Sequence, residues 1–261
     1  MTSSLQADAL SQDAFLGGRL TLFQPRKGYR AGVDPVFLAA AVPARAGEQV
    51  LDLGCGVGAA ALCLLARVPG LGATGLELQA PYAALARRNA AHNALNLQVI
   101  EGDVAAPPPA LRALSFDHVI MNPPYFIEAA ACAAPDPGRA LAQREAGARL
   151  AEFLDQGLRR LRQGGSLTVI HRAERLADLL AGLSGRAGDI RVLPLQSRSG
   201  RAAGRVLVQA RKGARAPLTL LAPFTLHEGA RHVSDGADYT AKAEAILRGV
   251  APLPLGDDPR Q

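Results

Sequence analysis

The stretch Val50-Leu51-Asp52-Leu53-Gly54-Cys55-Gly56-Val57-Gly58 and the apolar run Ala59 to Arg67 behind it narrow the fold more than any other part of the chain. Val50, Leu51 and Leu53 read as a buried strand, the glycines as a tight turn, and 59–67 as a helix. Gly54, Gly56 and Gly58 let the backbone turn, and approach a ligand, where a β-carbon would collide. The helix start aims its unpaired amides at whatever occupies the turn. Strand, glycine turn and helix in this order belong to α/β sheets, which bind ligands beyond the carboxyl ends of their strands.

The same alternation continues along the chain. Strands are expected at 49–53, 73–77, 97–101, 116–121, 166–171, 190–196 and 204–211, and helices at 59–67, 80–93, 139–162 and 173–183. This predicts an α/β, seven-stranded, mostly parallel sheet with helices on both faces. The last two strands are joined by 197–203 without a helix, so they form an antiparallel hairpin. Three regions follow: an extension over 1–45, the sheet domain over 46–215 and a second extension over 216–261 packing on that domain. In the first, Asp34 reads as a helix cap and Pro35 as a first-turn residue of a helix running to Val42. In the last, Leu218–Leu221 looks strand-like and Ala241–Arg248 helical, ahead of a proline-rich end expected to fray. The alanine-rich stretch Ala129 to Gly138 reads as a mobile loop over the crevice.

Met1 to Phe15 is polar and lacks a basic segment ahead of an apolar one, and the apolar run after the glycine turn is too short to span a bilayer. Cys55, Cys63 and Cys132 are odd in number and fit no zinc spacing, and the five histidines lack ligand-like neighbours. A cytoplasmic protein with free thiols, no membrane segment and no metal is the expectation.

Two cofactor classes compete for the glycine turn. Gly54-x-Gly56-x-x-Ala59 fits a variant of the dinucleotide fingerprint, with Glu77 placed for a ribose diol. Against this, Asp52 precedes the first glycine, Glu77 ends the next strand and Gly102-Asp103 ends the third. Phosphates would be repelled by such acids, whereas S-adenosyl-L-methionine is a cation without phosphates. Asp52 suits its ammonium group, Glu77 its ribose and Asp103 its adenine amine. The product would be S-adenosyl-L-homocysteine.

A second motif, Asn122-Pro123-Pro124-Tyr125, closes the apolar strand 116–121. The two prolines fix the backbone and remove two N–H donors, leaving carbonyls and the Asn122 side-chain oxygen as acceptors. These suit a planar NH2 group: bonding both protons aims the nitrogen lone pair at an electrophilic methyl. Tyr125 can stack on a flat substrate. No strong base is needed, since the nitrogen becomes acidic as it is alkylated, and positioning supplies the rate.

The formal charge is +6. Arg191, Arg198, Arg201, Arg205, Arg211, Lys212 and Arg215 fall between 190 and 215 without an acid, and Arg26, Lys27, Tyr29 and Arg30 cluster upstream. Together they could form a phosphate-contacting rim for structured RNA. A solvated hairpin in an arginine-rich chain is the plain alternative.

With these residues placed, the chain resembles the class I, Rossmann-like methyltransferases of the Asn-Pro-Pro-Tyr amino-methylating group. More narrowly it is similar to the bacterial tRNA(Val) adenine-37 N6-methyltransferase family. The likeness runs from Gln24–Arg30 and Asp34 through both motifs to Arg205–Val208, Lys212-Gly213, His227-Glu228 and Tyr239-Thr240. It implies that Asp52, Gly54, Cys55, Gly56, Gly58, Glu77 and Asp103 touch the cofactor. It implies a catalytic set Asn122, Pro123, Pro124 and Tyr125, with Tyr29, Arg30, Phe126, Arg198 and Arg201 toward the RNA, in the first instance tRNA. Ala31-Gly32 departs from many relatives, which bears on the RNA target. Guanine N2 in ribosomal RNA and a protein glutamine pose the same chemical problem and are the alternatives. Glutamine methyltransferases carry a helical domain ahead of the glycine loop, and fewer than fifty residues precede it here.

Overall fold

The structure is a computed structural model that describes residues 9–28, 30–124, 137–229 and 238–256, with side chains for all of these except 137–148. A hairpin comes first: β1 (Leu10–Phe15) and β2 (Leu20–Pro25) pair antiparallel in their own two-stranded sheet. After α1 (Asp34–Ala41) the chain builds β3 (Gln49–Leu53), α2 (Ala59–Arg67), β4 (Gly72–Glu77), α3 (Ala80–His92), β5 (Leu97–Glu101), α4 (Pro109–Arg112) and β6 (Phe116–Met121). It continues through α5 (Pro137–Arg160), β7 (Leu161–Arg172), α6 (Leu176–Leu183), β8 (Ala187–Gln196), β9 (Ala203–Lys212), β10 (Thr219–Leu220), β11 (Phe224–Thr225) and α7 (Ala241–Leu247).

The main sheet has the order β10-β8-β9-β7-β6-β3-β4-β5, with β11 also on β8. β9 runs antiparallel to both of its neighbours, β7 and β8, and the other pairings are parallel. All seven expected strands form, the last two as an antiparallel pair, and two-residue β10 and β11 extend the edge. β3 lies at the switch point, with β4 on one side and β6 on the other, where an open sheet leaves a crevice for a ligand.

Period-two alternation explains the two cores. Val50, Ile120, Ile170 and Leu207 join one apolar cluster with α1, α2 and the N-terminal hairpin. Leu51, Leu53, Val119, Met121, Val169 and Val206 join the other with Phe153, Leu154 and Leu158 of α5 and with α6.

The first extension is more ordered than a polar start suggests. Asn89 of α3 is fully buried; its Oδ1 accepts from Phe23 N–H (2.8 Å) and its Nδ2 donates to the carbonyls of Phe23 and Val57. Asn93 serves Thr21 N–H and C=O in the same way. Two side-chain amides thus satisfy the outer edge of β2, where another strand would otherwise pair. Asp34 does not cap α1: the cap is Val33, and the carboxylate instead accepts from Arg205 Nε of β9 at 3.0 Å. Among the described residues no helix is long and apolar enough to cross a membrane.

Candidate active site

Strand register brings the two sequence motifs together. Leu53 of β3 is level with Leu76 of β4 and with Met121 of β6. The next residues, Gly54, Glu77 and Asn122, therefore leave three adjacent parallel strands at one height, each one strand spacing of about 4.8 Å from its neighbour. Glu77 is level with Glu101 on β5, so Asp103 follows two residues further along the same rim. Asn122 is half-buried, Pro123 buried and Pro124 exposed.

The glycine turn is held from below and crowded from above. Gly54 and Cys55 N–H both donate to the Leu76 carbonyl, at 2.8 and 3.0 Å. Gly54, Gly56 and Gly58 take φ of +71°, +56° and +83°, which L side chains rarely adopt. A β-carbon on Gly54 would lie 3.0 Å from Phe153 Cε1, and one on Gly58 3.0 Å from Leu97 Cδ2.

The acids at the strand ends have distinct partners. Glu77, buried, accepts from Gly56 N–H through one oxygen and from Gln79 N–H through the other, both at 2.9 Å. Asp52 is 3% exposed and accepts from Ala61 N–H at 3.3 Å. Burial raises its carboxyl from 3.8 to about 7, Glu77 adds to the rise, and the Ala61 bond opposes it. Asp103, half-buried, accepts from Ala105 N–H at 3.0 Å. The Cys55 thiol is pushed well above its usual range by burial, then by Asp52 and Glu77, so it is no nucleophile. Tyr29, Tyr125, Phe126 and Cys132 lie outside the described residues, as does nearly all of the 129–138 loop.

One rim residue escaped the sequence reading. His171 on β7 lies two places beyond Val169, which is level with Met121. It is buried, accepts from Arg172 N–H at 2.9 Å through Nδ1, and is pushed down to about 4 by burial and then by Arg175. A neutral imidazole thus stands beside the Asn-Pro-Pro turn. Only the strand pairing reveals it.

The basic run is not one rim. β8 and β9 are ten residues long, so the hairpin carries Arg198 and Arg201 to the carboxyl end of the sheet and Arg211 and Lys212 to the opposite end, roughly 30 Å away, with Arg191 midway along β8. Arg201 is exposed in the turn. Arg198, by contrast, is 12% exposed and donates to the Asp238 carboxylate and the Glu228 carbonyl, so it ties Glu228 and Asp238 to the hairpin. Arg30 pairs with Asp13 at 2.8 Å and stays 41% exposed.

Two buried acids, Asp52 and Glu77, beside the amides of the glycine turn suit a cationic cofactor and would repel a phosphate. Among the described residues no cluster of His, Cys, Asp and Glu could hold a metal. The fold and this rim define a class I methyltransferase, a class that works with S-adenosyl-L-methionine. The model of the methyltransferase small domain family matches residues 33–186. The tRNA1(Val) (adenine(37)-N6)-methyltransferase of Dickeya chrysanthemi is 31% identical over 85% of this chain and 88% of that protein. Its counterpart in Porphyromonas gingivalis is 31% identical over 70% and 76%. A predicted O-methyltransferase of Agrobacterium tumefaciens has a TM-score of 0.69 at 29% identity, covering 85% of this chain and 98% of that one. A Thermus thermophilus 16S rRNA N2 methyltransferase, solved with AdoMet and guanosine, has a TM-score of 0.54 at 20% identity, covering 78% and 50%, a likeness of fold. The chain belongs to the methyltransferase small domain family and, within it, to the tRNA1(Val) adenine-N6 methyltransferase family.

Proposed function

We propose that the protein methylates the exocyclic N6 amine of an adenine in structured RNA, at position 37 of a tRNA anticodon loop. The observation that carries this reading is the common height of Gly54, Glu77 and Asn122 on adjacent strands. The cofactor, S-adenosyl-L-methionine, supplies an electrophilic methyl group. Asp52, Glu77 and Asp103 are the acids that would hold it, with Gly54, Cys55, Gly56 and Gly58 giving the backbone close approach.

Asn122 Oδ1 and the Pro123 carbonyl would accept the two N–H bonds of the amine and fix its lone pair toward the methyl. Pro124 stiffens the turn and Tyr125 would stack on the base, worth about 1–3 kcal/mol. Asn122 is a carboxamide and cannot act as a base; its contribution is orientation and a directed dipole. The same pair of acceptors is wasted on a hydroxyl, which has one proton. Anticodon-loop bases unstack cheaply, which lets an adenine leave the loop for the pocket. Arg30 and Arg201 would contact the RNA backbone, together with Tyr29 and Phe126.

The test is methyl transfer to unmodified tRNA, followed by nucleoside digestion and mass spectrometry. N6-methyladenosine is expected from the wild type and not from Asn122→Ala. N2-methylguanosine, or methylation of a protein glutamine without RNA methylation, would overturn the reading.

A further inference from the structure

The N-terminal hairpin leads into a strap at the mouth of the methyl-transfer rim. β2 climbs along α3, held by Asn93 at Thr21 and by Asn89 at Phe23, and Asn89 also donates to the Val57 carbonyl of the glycine turn. Gly28 then stands against Tyr82 in the first turn of α3, a short way past Glu77: a β-carbon on Gly28 would lie 3.1 Å from Tyr82 Oη. At the other end Asp34 accepts from Arg205, which is level with Arg172 at the carboxyl end of β7. Residues 26–28 and 30–33 therefore run along the carboxyl rim, from the side of β4 and Glu77 to β7, the strand next to that of Asn122.

Two polar side chains of the hairpin hold this strap. Gln24 is 1% exposed, yet the position carries an amide rather than an apolar group. Its Oε1 accepts from Ala31 N–H at 2.7 Å, and its Nε2 donates to the Ala31 carbonyl at 3.3 Å and to Asp13 Oδ2 at 2.8 Å. The amide thus pairs with both backbone groups of Ala31, as a neighbouring strand would. Asp13 joins the parts: Oδ2 also accepts from Ser11 Oγ at 3.0 Å, and both oxygens accept from a single nitrogen of Arg30, Nη2, at 2.9 and 2.8 Å. Arg30 Nε and Nη1 have no partner among the described residues, and the side chain is 41% exposed. A carboxylate grips one corner of the guanidinium and leaves its other donors unused.

We infer that Asp13 is a positioning residue for RNA binding: it braces Arg30 on the strap so that the guanidinium meets a backbone phosphate of the RNA whose base enters the rim. The inference rests on the reading of the rim as an RNA methyl-transfer site. A guanidinium already fixed in one geometry gives up less rotamer freedom on meeting a phosphate, and so holds it more tightly. The repulsion an acid exerts on RNA is muted here, because Asp13 forms a neutral pair with Arg30 and exposed charges are screened beyond about 8 Å at physiological salt.

The test is tRNA binding to the full chain, by anisotropy at fixed salt with S-adenosylhomocysteine present, for Asp13→Ala, Arg30→Ala and the double variant. Charge alone predicts that Asp13→Ala, which makes the protein more positive, binds tRNA more tightly. Bracing predicts the reverse, a loss of about fivefold or more, with Arg30→Ala losing about tenfold as one charge-assisted bond goes. The double variant should match Arg30→Ala to within about twofold, since the two residues act through one contact. In turnover the loss should fall on KM for tRNA, with kcat and S-adenosylhomocysteine affinity held, and Tm should move little because an exposed ion pair adds little stability. Should Asp13→Ala lower Tm, Asp13→Asn, which keeps an acceptor for Ser11 and Gln24, decides by the same comparison. Unchanged or tighter binding by the Asp13 variants, or losses that multiply in the double variant, overturns the inference. The nucleoside formed is read separately: N2-methylguanosine would end the N6 reading and leave this inference standing, whereas tRNA affinity untouched by Asp13→Ala would do the opposite.

Discussion

Replacing Asp52 with Asn should move stability and cofactor binding in opposite directions. Asp52 is buried beside Glu77, and its carboxyl is raised from 3.8 to about 7. The sign follows from linkage: the folded chain holds this proton more tightly than the unfolded chain. The contribution is therefore fully favourable below pH 3.8 and is lost as pH rises through about 7. The whole span corresponds to roughly 4 kcal/mol. Asparagine keeps an oxygen for Ala61 N–H but buries an NH2 group, and a buried donor without a partner costs about 1–3 kcal/mol. The variant should gain roughly 1–3 kcal/mol at pH 8, a rise of about 2–10 °C at the usual slope for a chain of this size. Thermal denaturation of the ligand-free protein from pH 8 to pH 4 should show this advantage shrinking and vanishing. At pH 8 S-adenosylhomocysteine should bind about 10–100-fold more weakly, because a charge-assisted bond to its ammonium group is gone. A variant that is less stable than the wild type at every pH, or that binds the product as tightly, would refute the reasoning.

Other substitutions separate the parts of the site. Asn122→Ala should lower kcat about 10²–10³-fold, as removal of a directed dipole does, with product binding by calorimetry unchanged. Gly54→Ala places a methyl group 3.0 Å from Phe153 at φ +71°, so Tm should fall and cofactor affinity with it; Phe153→Ala in the same chain should recover part of the affinity. Asn89→Leu leaves the Phe23 N–H and C=O and the Val57 carbonyl without partners and should destabilise by about 2–4 kcal/mol in urea unfolding.

The core of the sheet and both motifs were legible because their signals are local. The run 49–53 alternates sides, the glycines punctuate it, and the strand 116–121 ends at Asn-Pro-Pro. What the sequence concealed depends on contacts between distant segments. β1 looks polar because Ser11, Gln12 and Asp13 stand between its two buried ends, Leu10 and Phe15. Its partner strand is completed by Asn89 and Asn93, 66 and 72 residues away from the positions they serve. The length of the β8–β9 hairpin splits the arginine run, with Arg198 and Arg201 at its turn and Arg211 and Lys212 at its far end, a result that charge counting along the chain cannot yield. Asp34 has the residue type of a helix cap, yet Arg205 from across the fold outcompetes the helix amides for it.

The most direct measurement is a crystal structure of the protein with S-adenosylhomocysteine and an adenosine-bearing RNA fragment. The adenine N6 should lie within hydrogen-bonding distance, about 3 Å, of both Asn122 Oδ1 and the Pro123 carbonyl, on the same side of the rim as the cofactor sulfur. An adenine amine bound elsewhere, with the Asn122 carboxamide turned away from the cofactor, would contradict the account.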